Sequence, residues 1–170
     1  IVNSRQRGTQ ITLALDNSLS DDEAYTLAVD AKGVTAKGKT ARGVFYALMT
    51  LDQLLRGNGS TKCADAIPAL FISDKPRTHV RELMVDPART FIPFEDLKAF
   101  VPEMARYKLN AMHLHLVDDQ AWRIEIKKYP QLTAQASSRW GQDDIQMPYK
   151  GYYTQEQMRE LVKLGAEYHV

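Results

Sequence analysis

The residues best suited to chemistry lie in the stretch HLHLVDDQAWR, residues 113–123. His113 and His115 alternate with leucines, and Asp118 and Asp119 follow. Alternate side chains of a β-strand point to opposite faces, so the histidines would share one face while the leucines pack under helices. In barrels and doubly wound sheets, ligands bind at the carboxyl ends of the strands. The two carboxylates are therefore predicted to border a pocket.

A cation occupies the equivalent place after the preceding predicted strand. Arg89 stands just beyond that strand in the stretch VRELMVDPARTF. Arginine offers N–H donors in a fixed geometry and aspartate offers acceptors, a combination that suits sugar hydroxyl groups. Arg89 and Asp118 together therefore predict a site for a polyhydroxylated ligand at neighbouring strand ends.

Each of these residues also has a purely structural interpretation. The two histidines can be buried, hydrogen-bonded core residues. Asp118 and Asp119 can form a solvated loop or a helix cap, and Asp86 can pair with a core arginine. Trp122 and Trp140 can serve in packing rather than as sugar platforms. Spacing alone leaves these alternatives open.

A metal site is a further alternative. The spacing His113-x-His115 beside aspartates suits a metal-dependent hydrolase of another barrel class. A catalytic zinc takes three protein ligands, however, and two histidines do not supply them. The leading interpretation therefore expects no metal and no cofactor.

Composition excludes several classes of partner. The chain has 170 residues, with 22 Lys and Arg against 21 Asp and Glu, for a net charge of +1. No basic run is present, so neither nucleic acid nor a membrane is expected as a partner. Cys63 is the only cysteine, which excludes an intrachain disulfide. Asn58-Gly59-Ser60 is a glycosylation sequon, a short pattern that also occurs by chance.

The first part of the chain, residues 1–77, is predicted to form a small α/β domain. Residues 10–15 alternate like a strand, and two further strand-like runs meet in a hairpin at Lys32-Gly33. Apolar residues then recur at helical spacing from Ala41 to Arg56. Residues 63–77 are expected to be an irregular link with one short strand.

The second part, residues 78–170, alternates strand and helix. The strands are predicted at residues 80–86 and 110–118, and the helices at residues 93–108 and 154–168. Residues 127–151 are predicted to be a long loop, and His169-Val170 to enter a third strand. Such alternation implies parallel pairing with right-handed crossovers. The fold class is therefore α/β: a small α+β domain followed by the first two to three units of an incomplete (β/α)8 TIM barrel, since a whole barrel needs about 250 residues.

Four motifs carry a family resemblance. They are D-x-x-R at residues 86–89, K-x-N-x-x-H-x-H-L-x-D-D-Q-x-W-R at 108–123, I-E-I-K-K-Y-P-x-L-T at 124–133 and G-Y-Y-T-Q-E at 151–156. With them the chain resembles family 20 glycoside hydrolases, the β-N-acetylhexosaminidases. The part before Val80 is similar to the small α/β domain that precedes the barrel in this family. Glu82 and Thr90 stand where the family usually has other residues, so the resemblance does not extend to fine substrate preference.

The resemblance implies hydrolysis of terminal, non-reducing N-acetylglucosamine or N-acetylgalactosamine by a retaining, substrate-assisted mechanism. Arg89 would bind hydroxyl groups of the terminal sugar, and Asp118 would support the active site and its catalytic acid. The catalytic Asp-Glu pair is expected beyond the fourth barrel strand, outside this chain. The chain is therefore expected to be a fragment, inactive alone, whose partners are such glycans and the rest of the barrel or a second chain. A secreted or periplasmic location is favoured by the same resemblance.

A non-catalytic alternative also stands. Arg89 and Asp118 could contact sugar in a carbohydrate-binding or assembly module that lacks catalytic residues. Measurable binding of N-acetylglucosamine by the chain itself would favour that interpretation over a part of an enzyme.

Overall fold

The computed structural model describes residues 2–3, 10–56, 66–138 and 150–170. Cys63, the sequon at Asn58 and Trp140 lie outside these residues. The chain divides into two compact units. The first comprises Ile1–His79 with Arg106–Lys108, and the second comprises Val80–Ala105 with Leu109–Val170.

The described residues of the first unit form six strands. A short pair joins β1 (Val2–Asn3) to β5 (Ala66–Ile67). A four-stranded sheet contains β2 (Gln10–Leu15), β3 (Tyr25–Asp30), β4 (Gly33–Gly38) and β6 (Leu70–Asp74) in the order β2-β4-β3-β6. The strand β3 runs antiparallel to both neighbours, whereas β2 and β4 are parallel. The link predicted to hold one short strand therefore holds two.

The predicted hairpin is confirmed, and its turn has a clear local cause. The Asp30 side chain accepts hydrogen bonds from the main-chain N–H groups of Lys32 and Gly33. Gly33 has a φ of +146°, and a Cβ there would lie 2.1 Å from the carbonyl oxygen of Gln10 on the neighbouring strand. Only glycine fits this conformation and this approach.

The helix α1 (Ala41–Arg56) has the predicted bounds and covers one face of this sheet. Its buried residues Tyr46, Ala47 and Leu51 belong to one apolar cluster with the inward side chains of β3 and β4. The inward side chains of these strands are Tyr25, Leu27, Val29, Val34 and Ala36.

The second unit is built on two parallel strands, β7 (Glu82–Val85) and β8 (Ala111–Leu114), paired from Glu82↔Ala111 to Val85↔Leu114. The parallel pairing is as predicted, but both strands are shorter. After Leu116 the chain folds back, with Asp118 N–H donating to Ala121 O and Arg123 N–H to Leu116 O. This tight return ends the ladder before the aspartates.

Residues 80–138 and 150–170 contain three helices: α2 (Phe94–Arg106), α3 (Gln131–Ala136) and α4 (Gln155–Tyr168). The region predicted to be one long loop thus contains α3. Thr154 caps α4 as predicted, in a capping box with Gln157. His169 is the left-handed C-cap of α4, so the helix ends where the entrance to a third strand is expected, and that strand stays a prediction.

The apolar core of this unit lies between the two strands and the helices. Its buried members are Val85, Leu97, Val101, Tyr153 and Leu161. Leu114 and Leu116 pack against this cluster, which is the side of β8 that alternation assigns to the helices. None of the helices in the described ranges is long and apolar enough to cross a membrane.

Candidate active site at the ends of two parallel strands

Arg89 lies in the loop that leaves β7 and is held by the aspartate three residues before it. Its Nη1 donates to Asp86 Oδ2 at 2.6 Å, and its main-chain N–H donates to Asp86 Oδ1 at 3.1 Å. The short D-x-x-R spacing thus closes a small ring of side-chain and main-chain contacts. The guanidinium is anchored at the carboxyl end of the strand.

Asp118 reaches the same guanidinium from beyond β8. Arg89 Nη2 lies 2.8 Å from Asp118 Oδ2, so the cation sits between two carboxylates. The Arg89 side chain is 50% exposed, whereas those of Asp86 and Asp118 are 22% and 21% exposed. The two groups that the sequence places at neighbouring strand ends therefore meet, at a surface that a ligand can reach.

The two histidines have different surroundings. His115 Nε2 lies 2.5 Å from Asp118 Oδ2, and its ring N–H must donate because an ionised carboxylate only accepts. His113 Nδ1 lies 4.0 Å from Glu82 Oε1. The side chains of His113 and His115 are 54% and 32% exposed. The interpretation of both as buried core residues is therefore wrong.

Hydrogen bonds and neighbouring charges favour the ionised forms of Asp118, Asp86 and Arg89. The pKa of Asp118 falls from 3.8 to about 2 because it accepts from Asp119 and from His115 and lies beside Arg89. Burial alone would raise the pKa of Asp86, but hydrogen bonds from Arg89 and attraction to Arg89 and His115 lower it. The hydrogen bond to Asp86, with the charge of Asp118, raises the pKa of Arg89. A fixed cation between two anions results.

Asp119 and Trp122 belong to the turn that carries Asp118. The Asp119 N–H donates to Asp118 Oδ1 at 2.7 Å, and the Asp119 side chain is exposed. Trp122 is half-buried, and its indole N–H donates to Ile124 O at 2.6 Å. These contacts agree with a packing role for Trp122.

Arg123 is the residue of this region that sequence reasoning missed. It is fully buried. Its guanidinium donates to four main-chain carbonyl oxygens, those of Pro87, Ala88, Ser137 and Gly151. Pro87 and Ala88 lie between Asp86 and Arg89, so Arg123 fixes the loop that aims Arg89. The expectation that Asp86 pairs with a core arginine is wrong, since its partner Arg89 is half-exposed.

The segment after Lys150 packs against the same loop. Gly151 lies against the Phe91 ring, where an added Cβ would come within 2.3 Å of Phe91 Cε1. The Phe91 ring also lies 5.5 Å from the guanidinium carbon of Arg123. Tyr153 is fully buried and donates from its hydroxyl group to Ile92 O at 2.6 Å, and burial raises its pKa to about 12. The G-Y-Y-T motif therefore packs against Phe91 and Ile92, which follow Arg89 in the same loop.

Metal binding finds no site in the described ranges. No group of three or more His, Cys, Asp or Glu side chains there is arranged to hold an ion. His115 and Asp118 instead bond to each other. The metal-dependent hydrolase is thus not favoured by this geometry.

Comparison with known proteins identifies the family. The profile described as "Glycosyl hydrolase family 20, catalytic domain" matches residues 79–170, and "Glycosyl hydrolase family 20, domain 2" matches residues 2–75.

Among curated relatives, a beta-hexosaminidase of Porphyromonas gingivalis is 41% identical over 165 residues, which cover 94% of this chain and 21% of that protein. A beta-hexosaminidase of Akkermansia muciniphila is 43% identical, with 94% of this chain and 33% of that protein covered. The chain thus spans about a fifth to a third of the length of these relatives.

Solved structures agree with the sequence relatives. A glycoside hydrolase family 20 beta-N-acetylglucosaminidase superposes with a TM-score of 0.82 at 43% identity, covering 96% of this chain and 32% of that one. An exo beta-N-acetylglucosaminidase of Vibrio harveyi, in complex with N-acetylglucosamine, gives a TM-score of 0.82 at 33% identity, over 94% of this chain and 26% of that one. With a catalytic-domain profile matched over more than half of its residues, the chain belongs to glycosyl hydrolase family 20.

Proposed function

We propose that this chain forms part of a β-N-acetylhexosaminidase that removes terminal, non-reducing N-acetylhexosamine residues from β-linked glycans. The observation that carries the proposal is the contact between Arg89 and Asp118, which join donors and an acceptor at the carboxyl ends of two parallel strands. That edge of a parallel sheet is where barrel enzymes bind their substrates.

Residues 1–77 are proposed as the small α/β domain, and residues 78–170 as the start of a (β/α)8 catalytic barrel. The parallel pair β7 and β8, with α2 between them and α4 after them, supports this assignment. A complete barrel of this type takes about 250 residues. The catalytic Asp-Glu pair is assigned to later strands of that barrel.

In this proposal Arg89 binds hydroxyl groups of the terminal sugar, and Asp118 supports the site around them. Two carboxylates hold the guanidinium in place before the sugar arrives, so little side-chain freedom is lost on binding. The mechanism is retaining and substrate-assisted: the acetamido oxygen of the sugar attacks the anomeric carbon, and a carboxylic acid protonates the leaving oxygen. The residues of this chain bind and orient the sugar for that attack.

The substrate class follows from the relatives. One relative is named N,N'-diacetylchitobiase from Vibrio harveyi, and several solved structures of the family hold N-acetylglucosamine. A glycan ending in N-acetylglucosamine is therefore the proposed substrate of the complete protein.

The test is hydrolysis of 4-nitrophenyl N-acetyl-β-glucosaminide by the complete protein that contains this chain. Arg89→Ala should lower kcat/KM by about 100-fold, since hydrogen bonds to a charged group contribute about 1.5–3 kcal/mol each. Arg89→Lys keeps the charge but loses the fork that contacts both carboxylates, so it should recover only part of the loss.

Arg159→Ala is the matched control, because Arg159 lies on α4, is 68% exposed and pairs only loosely with Glu156 at 3.4 Å. Its kcat/KM should stay within about twofold of the wild type. Absence of turnover in the wild type, or turnover indifferent to Arg89→Ala, would reject the proposal.

A further inference from the structure

We infer that His115 is a positioning residue, which fixes the carboxylate of Asp118 and through it the guanidinium of Arg89. The inference rests on the proposed function and adds a residue to its site. Its basis is a continuous line of contacts from His115 to Asp118, from Asp118 to Arg89 and from Arg89 to Asp86.

The backbone of His115 is fixed on both sides. His115 follows directly after β8, and its N–H donates to Val85 O at 2.9 Å. Its carbonyl oxygen accepts from the N–H of Ala88 at 3.1 Å, within the loop that carries Arg89. The imidazole therefore starts from a main-chain position tied to the end of β7 and to that loop.

The imidazole completes the restraint of Asp118. Asp118 Oδ1 accepts from Asp119 N–H at 2.7 Å, while Oδ2 contacts both His115 Nε2 at 2.5 Å and Arg89 Nη2 at 2.8 Å. Without His115, the carboxylate would retain one main-chain contact and one contact to a half-exposed side chain. Rotation of the carboxylate would then carry Oδ2 away from Arg89.

The contact with Asp118 sets what the side chain at position 115 must supply. Asp118 and Asp119 lie on the turn after β8, and Asp86 and Arg89 face them from the loop after β7. Only the N–H on Nε2 is needed to reach Asp118, and a neutral imidazole can carry it. A neutral amide at the same place should therefore substitute for the ring.

Two amide variants test this geometry. Glutamine places its amide nitrogen about as far from the main chain as Nε2, whereas asparagine ends near the position of Nδ1. In the complete protein, His115→Gln should keep kcat/KM within about threefold of the wild type. His115→Asn should lower it by about 10- to 100-fold, the range for a lost bond to a charged group and a displaced binding residue.

His113→Asn is the matched control. His113 lies in β8, two residues before His115, and its Nδ1 lies 4.0 Å from Glu82 Oε1. This variant should leave kcat/KM within about twofold of the wild type. A loss equal to that of His115→Asn would overturn the inference, because any disturbance of β8 would then explain both.

A double variant shows whether His115 acts through Asp118. With Asp118→Asn already present, His115→Asn should cause less than about a twofold further loss, since coupled residues are not additive. Equal rates for His115→Gln and His115→Asn, or additive losses in the double variant, would overturn the inference while wild-type turnover and its dependence on Arg89 still supported the function. Absence of wild-type turnover would overturn both.

Discussion

The second unit contains two arginines that are held in different ways, Arg89 at the surface and Arg123 in the interior. Arg89 is half-exposed and is held by the carboxylates of Asp86 and Asp118. Arg123 is fully buried and is held by main-chain carbonyl oxygens. The same guanidinium group thus lies at the proposed sugar-binding surface in one region and supports the main chain in the other.

The difference follows from the dielectric surroundings. A cation at the surface keeps part of its hydration, so two carboxylates can fix it while a polar ligand still approaches. A cation in the interior loses its hydration, at a cost of several kcal/mol. Several of its N–H groups must therefore donate to fixed acceptors such as main-chain carbonyl oxygens. Because two of those carbonyl oxygens belong to Pro87 and Ala88, the buried arginine sets the position of the exposed one.

The largest effect is expected from Arg123→Met, which keeps an apolar stem but removes the donors. The carbonyl oxygens of Pro87, Ala88 and Gly151 would lose the donor that Arg123 supplies, while Ser137 O would keep the N–H of Gly151 at 2.9 Å. Each buried group left unsatisfied costs about 1–3 kcal/mol. We expect the free energy of unfolding to fall by at least about 3 kcal/mol. Urea denaturation followed by tryptophan fluorescence would measure it.

Arg159→Met is the control for this change, because its side chain is 68% exposed. The free energy of unfolding should change by less than about 0.5 kcal/mol. Equal effects of the two substitutions would contradict the claim that burial makes Arg123 more important to stability than an exposed arginine.

An intermediate effect is expected from Gly151→Ala, which tests the packing beneath the Arg89 loop. The new methyl group would lie 2.3 Å from Phe91 Cε1, so the ring or the main chain must move. Overpacking of this kind costs about 1–3 kcal/mol, measured as a shift in the urea midpoint.

Phe91→Leu should rescue Gly151→Ala in part, because the smaller side chain leaves room for the methyl group. The sum of the two single effects should therefore exceed the effect of the double variant. Strict additivity would show that the two residues do not press on each other.

The surface site could be predicted from the sequence because its residues carry a pattern. Carboxyl ends of adjacent parallel strands lie at one edge of a sheet, so residues placed directly after two such strands must lie close together. Arg89 and Asp118 follow β7 and β8 in this way, and they meet. The helices α1 and α4 were likewise predictable, from apolar periodicity and from the Thr154 cap.

The role of the buried Arg123 could not be predicted in the same way. Its partners are carbonyl groups, which every residue has, so no residue type marks Pro87, Ser137 or Gly151 as a contact of Arg123. The strand β8 is predicted too long because Leu116 and Val117 continue its apolar pattern into the segment where the chain folds back. The strand β7 is shorter than predicted by Val80 and Arg81 at its start and by Asp86 at its end. The short helix α3 has too few turns to show a period.

The smallest effect concerns the charge of Asp118 and its pH dependence. The pKa of Asp118 is about 2 in the folded chain, below its ordinary value of 3.8. Its ionised form therefore stabilises the fold fully above about pH 3.8, and this contribution is lost as the pH falls through about 2. Asp118→Asn should lower the urea midpoint slightly at neutral pH, and the difference from the wild type should shrink between these two values. Added salt should also reduce the difference, because both Asp118 and Arg89 are open to solvent. A difference that stayed constant down to pH 2 would mean that Asp118 acts by shape rather than by charge. The charge of this carboxylate would then not be what holds the surface arginine, and the contrast with the buried arginine held by carbonyl dipoles would be wrong for Arg89.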